Sequence, residues 1–105
     1  MKVLHLTLKK KWFDMIARGE KKEEYREMKP YWHKRLANKT YDVISFRNGY
    51  AKDAPTMIVQ LKSICSCVGI LEWGAPEDKP VYILFLGRIL EIQNCSDVGR
   101  LVTNN

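Results

Sequence analysis

The sequence predicts an α+β domain, a small mixed β-barrel with two short helices. Three observations lead there. Segments 3–8, 41–47, 56–64 and 81–90 are rich in aliphatic, β-branched and aromatic residues and lie between turn signals. Only two short stretches read as helix, one by apolar spacing and one by a leading proline. The order runs strand, helix, strand, helix and then strands, which is not the alternation of a doubly wound parallel sheet.

Each element has a local reason. Val3 to Leu8 alternates, so Leu4, Leu6 and Leu8 share one face and His5 takes the other. Thr7 or a neighbour is expected to cap a helix that runs to Arg18, with Leu8, Trp12, Phe13 and Ile16 at helical spacing. Gly19 ends it, because glycine adopts the left-handed C′ conformation without steric cost. Residues 22–28 are expected to be extended, and Pro30 opens a second helix from Tyr31 to Ala37. Tyr41 to Phe46 is a strand, and Asn48-Gly49 after it is a turn signal. Residues 56–71 supply one long strand or two, with Met57, Ile58, Val59 and Ile64 as core candidates. Residues 72–80 read as a polar loop. Val81 to Leu90 is the most apolar strand, interrupted at Gly87. Residues 95–105 are expected to fray. No repeat or linker is visible, so residues 1–105 are expected to form one domain.

The net charge of +6 is uneven. Residues 1–50 hold 13 Lys/Arg against 6 Asp/Glu, a balance of +7; residues 51–105 hold 5 against 6, a balance of −1. A positive field over one half favours phosphate-bearing partners. The longest apolar run, Val81 to Leu86, is too short to span a membrane, and no signal-peptide cleavage pattern follows Met1. Three cysteines, Cys65, Cys67 and Cys95, are an odd set that suits reduced thiols and a cytoplasmic location. Cys65-Ser66-Cys67 has no third or fourth ligand nearby in sequence, so neither a metal nor another cofactor is expected. His5 and His33 are expected to be solvated and have no readable catalytic partner.

The run from Gly19 to Arg26 carries the densest chemistry, at the spacing G-x-K-x-x-E-x-R. On a regular strand Lys22, Glu24 and Arg26 share one face while Lys21, Glu23 and Tyr25 share the other. Lys21 and Glu24 therefore converge only if the chain is still turning through Gly19 to Lys22. Such a pair can bind a polar ligand, or act as acid and base if burial shifts a pKa. It can equally be an ion pair that orients the barrel mouth. Arg26 can hold Glu24 or a backbone carbonyl. Trp12, Tyr25, Tyr31, Trp32, Tyr50 and Trp73 are candidates to stack on bases or to wall a cleft. Trp32 stands beside His33, Lys34 and Arg35, a basic patch carrying an aromatic ring. Arg47, Asn48 and Tyr50 could meet one ligand at the Asn-Gly turn.

Gly19, Lys21, Glu24 and Arg26, placed after the first helix in a chain of this length, resemble the motif of the ASCH domain family, named for activating signal cointegrator 1 homology. The resemblance implies a PUA-like pseudo-barrel. It also implies binding of RNA, single-stranded nucleic acid or a modified nucleoside in a cleft beside the motif. Lys21 and Glu24 would then line that cleft, with Trp12, Tyr25 or Asn48 on its walls. One branch of the family contains small amidohydrolases that deacetylate N4-acetylcytidine, and this supplies the alternative activity. That branch resembles the chain at Lys21 but has a threonine nucleophile where this chain has Glu24, and a carboxylate cannot form the same hydroxyl-derived ester. Glu72 matches the branch's later glutamate by rough chain position, so the alternative would use Lys21, Glu24 and Glu72.

Overall fold

Leu4, Leu6 and Leu8 alternate into the core from the first strand, each at most 5 % exposed, while His5 faces out. A computed structural model describes residues 1–94; Cys95 and the expected fraying at 95–105 lie outside the described residues. Among the described residues the elements are β1 (Val3–Leu8), α1 (Lys10–Ala17), β2 (Glu23–Arg26), α2 (Pro30–Leu36), β3 (Val43–Asn48), β4 (Thr56–Val68) and β5 (Pro80–Gln93), with a 3₁₀ turn at Leu71–Trp73.

The strands form one mixed sheet in the order β1-β3-β4-β5-β2. β1 runs parallel to β3, and the other pairs are antiparallel. The β4–β5 hairpin curls where its register shifts between Ile58 and Ser63. Gly87 lies in this stretch, and a Cβ there would collide with the Gln60 side chain. The curl brings the two edge strands together, because Arg26 of β2 reaches the Thr7 carbonyl of β1 at 3.2 Å. No ladder joins β1 to β2 among the described residues. The sequence leads one to expect a mixed barrel; the chain forms a five-stranded mixed sheet with two helices, open where arginine replaces backbone pairing.

The main core joins Phe13 and Ile16 of α1, Leu36 of α2 and inward residues of the sheet such as Ile44, Phe46, Val59 and Leu84. A second cluster, Tyr25, Ala75, Val81 and Ile83, lies on the other face of β5. Both faces of β5 are thus covered along its first half, which accounts for its apolar run.

Several local expectations shift. Leu8 belongs to β1, and Lys9 occupies the α1 N-cap with no side-chain cap. Ile58 is half-buried rather than a core residue. Asn48-Gly49 does not make a two-residue hairpin; Gly49 has φ +87°, and the Asn48 amide donates to the Pro55 carbonyl at 2.9 Å across a longer loop. His33 is half-buried, its Nδ1 bonded to the Tyr82 hydroxyl at 2.5 Å. Cys65 and Cys67 are free and exposed. Among the described residues no group of three or more His, Cys, Asp or Glu could hold a metal, and no helix is long and apolar enough to cross a membrane.

Candidate ligand-binding site

Gly19 takes φ +79°, which glycine alone adopts freely. The amides of Glu20 and Lys21 both donate back to the Met15 carbonyl, at 2.9 and 3.1 Å, and so satisfy the end of α1. The chain is still turning at Lys21, and β2 begins only at Glu23. This rotates Lys21 out of the strand's alternation. Its Nζ comes to 3.2 Å from Glu24 Oε1, so the two side chains do converge.

The pair is buried, with Lys21 2 % and Glu24 4 % exposed. The Lys21 ammonium donates to the Trp73 carbonyl and lies 4.9 Å from the Trp12 ring centre and 4.7 Å from that of Tyr25. Burial pushes its pKa below 10.5, and the Glu24 carboxylate pulls against that shift. The second oxygen of Glu24 accepts from Arg26 Nη1. Arg26 also donates to its neighbour's carbonyl, Tyr25 O, at 2.8 Å, and to Thr7 across the sheet gap. Lys21, Glu24 and Arg26 form one continuous charge chain that ends at the gap.

In front of that chain lies a cavity of about 550 Å³ between β1 and β2. Glu24 and Arg26 of β2, Trp12 of α1 and Tyr31, Trp32 and Arg35 of α2 line it, with residues 5–9 along β1 and Tyr50 beyond β3. Trp32 organises the wall. The Arg26 and Arg35 guanidinium carbons lie 5.2 and 5.6 Å from its ring centre, and Tyr31 meets it edge-on at 4.8 Å. Arg35 donates to the His5 carbonyl at 3.3 Å and to the Tyr31 hydroxyl at 3.1 Å. Its Nε is buried with no hydrogen-bond partner among the described residues.

Two consequences follow for chemistry. The β1 edge facing the gap has its His5 and Thr7 carbonyls capped by guanidinium groups, and the N–H groups of the same residues point the same way. Among the described residues the charges lining the cavity are Lys9, Arg26 and Arg35 against the one carboxylate of Glu24, whose oxygens already meet Lys21 and Arg26. The field there favours an anion. Tyr50 is 86 % and Tyr31 60 % exposed, although the Arg35 guanidinium carbon lies 5.4 Å from the centre of the Tyr31 ring.

The expected site residues separate into groups. Trp12, Glu24, Arg26, Trp32, Arg35 and Tyr50 meet at this cavity. Lys21 stands behind Glu24 and does not line it; it borders a different cavity beside Gly19 and Lys62. Tyr25 faces the opposite side of the sheet, where its hydroxyl donates to Glu23 at 2.9 Å and accepts from the Ile70 amide at 3.0 Å. Arg47 ties its own loop together through the Gly49 and Ala51 carbonyls. Asn48 and the exposed Glu72 lie outside the cavity lining, and Lys34 is exposed on α2. Sequence reasoning did not place Lys9 or the open β1 edge at the site. An alternating strand carries no mark of which side stays unpaired.

Comparison with protein-family models, with curated proteins and with solved structures finds no match to this chain.

Proposed function

We propose that the chain binds a nucleotide-type ligand, RNA, single-stranded nucleic acid or a modified nucleoside, in the cavity between β1 and β2. One observation carries the reading. Two guanidinium groups stand on one tryptophan in the lining of a cavity where, among the described residues, Glu24 supplies the one carboxylate and each of its oxygens already meets a cation. Guanidinium groups suit phosphate oxygens, and the buried Nε of Arg35 has no hydrogen-bond partner among the described residues. The exposed rings of Tyr31 and Tyr50 offer stacking surface for a base. The ASCH resemblance points the same way, and a PUA-like open barrel is the fold this reading assumes.

Hydrolysis has less behind it. Lys21 is enclosed by Trp12, Tyr25, Glu24 and the Trp73 carbonyl, away from the cavity lining, and Glu72 is on an exposed turn. Neither presents a group to a substrate in front of Arg26.

Tyr50→Ala tests the reading without threatening the fold, since the ring is 86 % exposed. Calorimetric titration with ribonucleoside 5′-monophosphates should give binding that Tyr50→Ala weakens by a stacking contribution of about 1–3 kcal/mol. Nucleotide binding unchanged by both Tyr50→Ala and Tyr31→Ala, or no binding at low salt, would refute it.

A further inference from the structure

The basic wall does not stop at α2. A second cavity of about 610 Å³ lies beyond Arg35 and Tyr31, which line both. Lys2, Lys34, Lys39 and Tyr41 complete its lining. Four cations meet there, and among the described residues no carboxylate lines the surface. Asp42, next to Tyr41 in the chain, has one oxygen engaged by the Lys2 backbone N–H at 2.7 Å. The side chains of Lys2, Lys34 and Lys39 have no salt-bridge partner among the described residues, unlike Lys29, which pairs with Glu27. The Tyr41 hydroxyl donates to the Arg35 carbonyl at 2.7 Å and holds that ring against α2. Unpaired cations gathered in one concavity repel each other, and a polyanion relieves that repulsion.

We infer that the ligand is a strand rather than a free nucleoside: single-stranded nucleic acid crosses α2, with one nucleotide in the β1–β2 cavity and the next phosphates among Lys34, Lys39 and Lys2. This rests on the nucleotide reading above. A mononucleotide fills the first cavity and leaves the second one's charges uncompensated. A strand repeats its phosphate at every nucleotide, so its backbone supplies an anion to each cavity in turn. Arg35, on the shared wall, faces the phosphodiester between them. The strand is single because a base must leave its pair to lie against Tyr31 or Tyr50.

The experiment compares each of the four ribonucleoside 5′-monophosphates with a mixed-sequence hexaribonucleotide, titrated at several salt concentrations. The hexamer should bind at least about tenfold more tightly and with a steeper salt dependence. The Lys34→Ala/Lys39→Ala variant should lose most of that gain and leave mononucleotide affinity unchanged. It should also flatten the slope of log K against log salt by roughly 0.7 for each phosphate that the protein no longer neutralises. A hexamer no tighter than the mononucleotides overturns the strand inference while the nucleotide reading survives. So does a variant that weakens both ligands equally. If neither ligand binds, both readings fall.

Discussion

The buried charges of the Gly19–Arg26 turn and the exposed charges of α2 are made of the same residue types and do opposite things. Lys21 and Glu24 are 2 % and 4 % exposed and are consumed by each other, by Arg26 and by the Trp73 carbonyl. Lys34 and Lys39 are exposed, with no salt-bridge partner among the described residues. Lys21 stands behind the cavity, and Glu24, which lines it, holds the Arg26 side chain that reaches across the sheet gap. The second is available to a ligand. Loss of a buried charge should be felt in folding, and loss of an exposed one in binding.

The largest expected effect comes from breaking the buried pair. Glu24→Ala leaves the Lys21 ammonium enclosed without its carboxylate and should cost about 3–5 kcal/mol in urea unfolding. Replacing both, as Lys21→Met with Glu24→Leu, should recover only part of that loss, because the enclosed ammonium is gone but Arg26 still loses its carboxylate and the Trp73 carbonyl its donor. A cost below about 1 kcal/mol for Glu24→Ala would mean that the pair is solvated and the contrast false.

Gly19→Ala should come next, at about 1–2 kcal/mol by the same measurement. A Cβ there meets nothing within 4 Å, so the penalty is backbone strain at φ +79° alone. A neutral Gly19→Ala would show that Lys21 is not placed by this turn.

The alkaline limb of stability should read two buried groups with opposite signs. Burial, chiefly, raises the Tyr25 pKa above 10.0, so above that pH the unfolded chain binds fewer protons than the native one and stability falls. Burial lowers that of Lys21 below 10.5, so below 10.5 the unfolded chain binds more protons and stability climbs as pH rises toward that value. Melting temperatures from about pH 9 to about pH 11 should therefore show the wild type losing ground to Tyr25→Phe. Parallel curves for the two proteins would contradict the burial of that hydroxyl.

The smallest stability effect belongs to the rim. Lys34→Ala with Lys39→Ala should stay within about 0.5 kcal/mol of wild type. A larger loss would make those lysines structural and erase the difference between the regions.

Much of the fold was legible because its signals are local. The leucine alternation of β1, the proline that starts α2 and the glycine that ends α1 each act within a few residues. The glycine also announced that Lys21 and Glu24 could converge. What stayed hidden depends on pairing across the sheet. That β1 and β2 become the two edges, that Arg26 bridges them to Thr7, and that Trp32 holds two guanidinium groups are facts of strand order. Tyr25 shows the same limit. It adjoins Glu24 in the motif, yet strand alternation sends it to the opposite face, into the cluster with Ala75, Val81 and Ile83.

Binding across the gap between β1 and β2 is tested most directly by titrating isotope-labelled protein with the mixed-sequence hexaribonucleotide and following amide and indole resonances. The backbone amides of His5, Thr7 and Lys9, the Trp32 indole and the amides of Arg35 and Tyr50 should shift together with one dissociation constant. Those of β4 from Ser63 to Cys67, on the far part of the sheet, should stay still. Shifts confined to β4, or none around the gap between β1 and β2, would contradict it.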